Sequence, residues 1–153
     1  MTEVRIRGEA ADVARAEAQA VLAMLHDERR RERLADVVAA VDEGTVAGDD
    51  ADALGELLEL GLASGRLRAV YGPGGEQAAL GLFRRLPRGR ELTESTRELN
   101  SALDALAGRE LHSVSVSALG PGEYGVSISA DGFEIGLRLG RNGARVTTIG
   151  AGG

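Results

Sequence analysis

The chain has 153 residues and a formal net charge of −6, with no cysteine and, among its 18 basic residues, no lysine. The lack of cysteine excludes disulfides, thiolate catalysis and cysteine-based zinc sites. The lack of lysine excludes Schiff-base chemistry and phosphate binding by a P-loop lysine. Hydrophobic residues make up 43% of the chain but aromatic residues only 3%, so the core must be aliphatic.

The charge is unevenly distributed along the chain. Residues 1–63 contain 15 acidic residues and 7 arginines, residues 64–110 contain 6 and 8, and residues 111–153 contain 3 of each. An acidic half argues against nucleic-acid binding, which needs a basic face. No window reaches the roughly 18 apolar residues of a membrane span, and the first residues lack the apolar stretch of a signal peptide. We therefore expect a cytoplasmic protein without membrane contact, and the Arg-only, Ala- and Gly-rich composition favours a bacterial origin.

The first part of the chain is predicted to be mainly helical. After a short strand at 4–7, residues 9–43 place apolar side chains three to four positions apart, as an amphipathic helix does. The charged run at 26–33 interrupts this stripe and predicts either a break between two helices or one helix that leaves the protein body. The run is interpreted as a solvated helix face with Glu/Arg pairs, or alternatively as an arginine patch for an acidic partner. Residues 44–50 are predicted to be a linker.

Three further helices are predicted in the middle of the chain. Their approximate spans are 50–61, 76–86 and 93–107. Pro87 is expected to end the second helix, and Thr93 is expected to cap the third. Between the first two helices, residues 66–71 alternate in polarity, and this alternation predicts a strand.

The last 43 residues predict a four-stranded antiparallel sheet. Three runs, 112–118, 124–130 and 133–139, alternate between apolar side chains and small or polar ones, as strands with one buried face do. Glycine in the turn sequences supplies the positive φ angles that tight hairpins require. The predicted turns are Gly120-Pro121-Gly122, Asp131-Gly132 and Asn142-Gly143.

The apolar face of this sheet needs a cover. The preceding helix carries Leu99, Leu103 and Leu106 on one stripe and is the nearest candidate. We expect it to bury one set of side chains on the sheet. These are Tyr124, Val126, Ile128, Phe133, Ile135, Leu137 and Leu139.

Together these elements predict an α+β protein, with an N-terminal helical part followed by a helix packed on a four-stranded antiparallel β-meander. The predicted organisation has four segments. They are a helical N-terminal segment with a short first strand (1–48), a helical middle with a Gly-rich turn (49–91), a helix-plus-sheet unit (92–149) and a flexible tail (150–153).

A Gly-rich turn is the first candidate binding site. It lies between a predicted strand and a predicted helix, and exposed amides at the start of a helix attract anions. Arginines later in the same segment would add positive charge. The candidate ligand-binding residues are Gly72, Gly74, Gly75, Arg84 and Arg85. The competing interpretations are a plain turn and a solvated helix end.

The small-residue face of the sheet is the second candidate site. Ser113, Ser115, Ser117, Ser127 and Ser129 share one side of the first two strands. That surface should be flat, so a second sheet or helix could approach it closely. Plain solvent exposure is the alternative, because one solvated face is normal for an antiparallel sheet. None of these serines lies in a nucleophile elbow, so none is expected to be catalytic.

No pattern typical of an enzyme is present. His26 and His112 stand alone, without the spacing of metal ligands, so we predict no catalytic residue, metal or cofactor. The sequence favours a non-catalytic protein-interaction or assembly component that binds a protein partner or forms a homo-oligomer. The alternative is a small-ligand or anion-binding domain that uses the Gly72–Gly75 loop and nearby arginines. An enzyme built from Glu, Asp and Arg alone is left open.

Overall fold

The computed structural model of the protein describes residues 2–151. Within them the chain forms five helices, which are α1 (Gly8–Met24), α2 (Glu28–Glu43), α3 (Gly48–Ala63), α4 (Arg66–Phe83) and α5 (Pro87–Asp104). The strands are β1 (Val4–Arg5), β2 (Thr45–Val46), β3 (Leu111–Gly120), β4 (Glu123–Ala130), β5 (Phe133–Gly140) and β6 (Gly143–Gly150). The chain divides into two compact units, Met1–Arg90 and Glu91–Gly153. The predicted α+β class with a four-stranded antiparallel meander is confirmed.

The first unit has an aliphatic core. The apolar stripes of α1 to α4 supply most of it, because each amphipathic helix must bury one face. Its fully buried side chains include Ile6, Val37, Leu54, Leu58, Leu67 and Leu82. The two-stranded sheet β1–β2 adds Val4 and Val46, which lie opposite each other in antiparallel register.

Residues 9–43 form two helices. The charged run at 26–33 lies at the break between them and caps the end of α1 and the start of α2. Asp27 Oδ1 accepts a hydrogen bond of 2.9 Å from the Arg30 amide and so caps the start of α2. Arg31 Nη1 donates to the Leu25 carbonyl at 2.9 Å and satisfies the end of α1. The suggested linker at 44–50 contains β2 and the first turn of α3 instead of irregular chain.

Two element predictions in the middle of the chain are wrong. Residues 66–71 begin helix α4, not a strand, because the alternation is too short to exclude a helix. Leu67 and Gly75 are buried and Tyr71 is half-buried, whereas residues 68–70 are exposed, and this spacing of four matches one face of a helix. Pro87 starts α5 instead of only ending a helix, since proline lacks the N–H that the first helical position leaves unpaired. Thr93 therefore lies inside a helix and does not cap it.

The second unit is the meander with the later part of α5. Its strands pair in the order β3-β4-β5-β6, all antiparallel. Gly122, Gly132 and Gly143 have positive φ at the three turns, as the predicted hairpins require. Gly150 is the last residue of β6, so the predicted tail at 150–153 overlaps the strand, and residues 152–153 lie outside the described part.

The apolar face of the sheet is buried only along its middle. Ile135 and Leu137 are buried, whereas Tyr124 is exposed. The half-buried members of the predicted set are Val126, Ile128, Phe133 and Leu139. The expectation that the preceding helix buries the whole apolar face is therefore wrong at Tyr124.

The position of α5 explains this partial burial. The amide of Ala144, at the start of β6, donates to Ser95 Oγ at 3.4 Å. Further along, Ala102 of α5 and Ala105, just after its end, line one groove with Phe133 of β5 and Val146 of β6. The helix thus lies beside β5 and β6. A helix is about 10 Å wide and strands are about 4.8 Å apart, so one helix covers roughly two strands.

Candidate functional site

The predicted anion loop forms a kink inside α4. Gly72 has φ 74° and ψ 179°, and Pro73 begins the second half of the helix. The amides of Gly74 and Gly75 therefore lie at a helix start, where an anion could accept hydrogen bonds. Acidic side chains already flank this start, however. A Cβ at Gly74 would lie 3.4 Å from Glu9 Oε1, and Glu76, two residues further on, pairs with Arg68 at 3.5 Å.

The arginines of that predicted site lie elsewhere. Arg84 and Arg85 follow the end of α4, about 15 Å along the helix axis from Gly74 at 1.5 Å per residue. Arg85 Nη1 donates to the Arg5 carbonyl at 2.7 Å, which ties the end of α4 to β1. The structure brings the three glycines together but does not bring the two arginines to them.

A buried carboxylate in the first unit escaped the sequence analysis. Glu17 of α1 is only 2% exposed. Its Oε1 accepts from Arg66 Nε at 2.7 Å, and its Oε2 accepts from the Tyr71 hydroxyl at 3.0 Å. Glu17 lies four positions after Val13 on the apolar stripe of α1, and a charged residue in that place was the available signal. Since both oxygens are paired, the cluster fastens α1 to α4.

This cluster predicts an unusual titration of Tyr71. Burial first, then the hydrogen bond to Glu17 and its negative charge, raise the Tyr71 pKa to about 12. Because the folded-state pKa exceeds the usual value near 10, this contribution to stability is complete below pH 10 and falls as the pH rises toward 12. In a Tyr124→Phe background, ultraviolet titration should report Tyr71 alone. Adding Glu17→Gln should lower its midpoint, and an unchanged midpoint in the folded variant would contradict the assignment.

The serine face of the sheet is the second predicted site, and the structure brings its members together. Ser113 lies opposite Ser129, and Ser115 lies opposite Ser127. Gly125 occupies the position opposite Ser117. The five serines and this glycine therefore form one continuous small-residue surface across β3 and β4.

The unexpected feature is the exposure of β3 on both faces. Every residue from Leu111 to Leu119 is exposed. On the face opposite the serines, Val114 is 57% exposed and Val116 is 65% exposed. Leu111 and Leu119 near the two strand ends are also exposed. We call Leu111–Leu119 the β3 edge.

The β3 edge lacks the usual protection of an edge strand. Natural edges carry charges, prolines or bulges that prevent pairing with another strand. The strand from Leu111 to Gly120 contains no Asp, Glu, Arg or Pro. Its two register irregularities fall near its ends, between Leu111 and Ser113 and between Ala118 and Gly120. The segment between them is regular and uncharged.

The opposite edge of the same sheet is protected. Strand β6 contains Arg145. It also has a register shift near its middle, because Gly136 and Leu137 of β5 pair with Thr148 and Val146. Thr147 is therefore an extra residue that interrupts regular pairing. The two edges of one sheet thus differ, and β3 is the one open to a further strand.

The helical unit also contains a partly apolar groove. A groove of about 440 Å³ lies between α1, α2 and α3. Its apolar lining is formed by Val21, Leu25, Leu34, Ala53, Leu57 and Leu60. Arg30, Arg33 and Glu56 flank it, so charged side chains interrupt the apolar surface in a way that they do not along β3.

Comparison with known proteins does not identify a function for the chain. No family model matches the chain, and neither the curated proteins nor the solved structures give a match. Across residues 2–151, no group of three or more His, Asp or Glu side chains is placed to hold a metal ion. In the same part of the chain, no helix combines the length and apolarity needed to cross a membrane.

Proposed function

We propose that this protein is a non-catalytic assembly component that binds another polypeptide strand along the β3 edge. The observation that carries the proposal is the continuous exposure of Leu111–Leu119, which contains aliphatic side chains but no Asp, Glu or Arg. A strand added to an open sheet edge gains main-chain hydrogen bonds, and side chains on alternate positions supply selectivity. The cytoplasmic location and bacterial origin expected from the sequence belong to this proposal.

Two further features support binding over catalysis. The Glu17 cluster is fully paired and joins two helices, so it supplies no free acid or base. The alternative anion site at Gly72–Gly75 lies near the carboxylates of Glu9 and Glu76, and Arg84 and Arg85 are distant from it. Negative charge near this helix start would repel an anionic ligand.

Site-specific photo-cross-linking tests the proposal. A benzophenone amino acid replaces Val116 in one variant and Val70 in the other, and each is expressed in the source cells. Val70 is the matched control because it is a valine on α4 with 54% exposure. We expect a defined protein adduct from position 116 and none from position 70. Equal background from both positions, with native circular dichroism, would refute the proposal.

A further inference from the structure

The sequence of strand β3 is nearly the same in both directions from Ser115. Val114 and Val116 flank it, followed by Ser113 and Ser117. The outermost pair is Leu111 and Leu119, and only His112 and Ala118 break the symmetry. A two-fold interface uses the same patch on both copies, so its sequence must complement itself.

We propose that the strand bound by the β3 edge is β3 of a second copy, paired antiparallel about a two-fold axis at Ser115. This inference rests on the proposed function and names its partner. Ser115 then faces Ser115 of the second copy, and Val114 faces Val116 of the second copy. Two four-stranded meanders become one eight-stranded sheet, which is within the range of open sheets.

Cross-strand chemistry fits this register. Residues directly opposite each other in an antiparallel pair share a face of the sheet. Val114 and Val116 would therefore meet valines on the apolar face. Ser113 and Ser117 would meet serines on the other face. The valine pairs bury apolar surface, and the serine hydroxyls can donate and accept hydrogen bonds. A slip of two residues keeps the faces and leaves Val114 opposite Val114, but it places Val116 opposite His112 and Ser117 opposite Leu111.

Charge also favours a second copy on this edge. A two-fold axis brings two copies of the same edge together, so a charged residue near the axis would lie close to its own like-charged copy. The β3 strand has no Asp, Glu or Arg, and residues 111–153 carry 3 acidic residues and 3 arginines. The two sheets therefore meet without net repulsion, although the whole chain carries −6. His112 lies within hydrogen-bond distance of Asp131, a residue of its own chain.

Cysteine cross-linking tests both the partner and the register. The chain has no native cysteine, so each introduced thiol is unique. Opposite Cα atoms in an antiparallel pair lie about 4.5–5.5 Å apart, within the range that a disulfide spans. We expect Ser115→Cys to form a disulfide dimer on mild oxidation. Mixed Ser113→Cys and Ser117→Cys proteins should form a heterodimer.

Each of the last two variants alone is the register control. In this pairing two copies of Cys at position 113 would be separated by four residues, about 13 Å along the strand. We expect their self-cross-linking to stay near that of Thr147→Cys on β6. Efficient dimers from Ser113→Cys alone, or none from Ser115→Cys, would overturn the proposed pairing.

Sedimentation at micromolar concentration gives the independent measurement. A ten-residue edge is small for an interface, so we expect a dimer that dissociates on dilution. Val116→Arg should weaken it at least about tenfold, since it places a charge against valine. Val70→Arg should not. A native chain that stays monomeric overturns this inference. Photo-adducts from position 116 to a different protein would then leave the proposed function standing.

Discussion

Replacing Ile135 by alanine is expected to lower the free energy of unfolding by about 2–5 kcal/mol. Ile135 is 1% exposed and lies on β5 between Ile128 of β4 and Ile149 of β6. Truncation removes buried methyl and methylene groups and leaves a cavity that the two flanking strands can close only in part. Chemical denaturation of the full chain, followed by far-ultraviolet circular dichroism, measures the change.

Ile149→Ala is the matched control for this prediction. It makes the same substitution on the neighbouring strand, opposite Ile135, but at a side chain that is 57% exposed. We expect a change of about half a kcal/mol or less, because exposed side chains away from special features contribute little. Equal losses at the two positions would mean that the burial of Ile135 is not what stabilises the sheet.

The sheet could be predicted because the signals that determine it, alternation and turn residues, lie close together in the sequence. Alternation fixes which side chains share a face, and Asp131-Gly132 and Asn142-Gly143 supply the turns. The middle of the chain was harder because its signals have two interpretations. A short alternating stretch at 66–71 fits a strand or one face of a helix, and Pro87 can end one helix or begin another. Tertiary packing decides between these, and it places Leu67 in the core.

The candidate site was predictable in part. The serine face follows directly from the alternation in β3 and β4. The exposed valines do not, because alternation predicts an apolar face but not how much of it a helix covers. That depends on the width of α5 relative to four strands and on its position beside β5 and β6. The two-fold pattern around Ser115 is visible in the sequence, but it has meaning only once β3 is known to be an exposed edge.

Gly89→Ala is expected to be among the most damaging single changes in the helical unit. A Cβ at this position would lie 1.9 Å from the Phe83 carbonyl oxygen and 2.8 Å from the Arg84 Cα. Both contacts are with backbone atoms, so no side-chain rotation relieves them. The corner between α4 and α5 would have to move, although it holds the buried side chains of Phe83 and Leu86. We expect a loss of stability of about 3 kcal/mol, at the upper end of overpacking effects.

Gly81→Ala is the matched control for Gly89→Ala, because it makes the same substitution where an added Cβ has free space. Gly81 lies inside α4, has no atom within 4 Å of an added Cβ and does not have a positive φ. Alanine there should stabilise the protein by about 0.5–1 kcal/mol, because glycine loses more backbone freedom in a helix. Thermal denaturation of the two variants should therefore shift in opposite directions. Stabilisation in both variants would contradict the close approach at Gly89, since helix propensity alone favours alanine at either position.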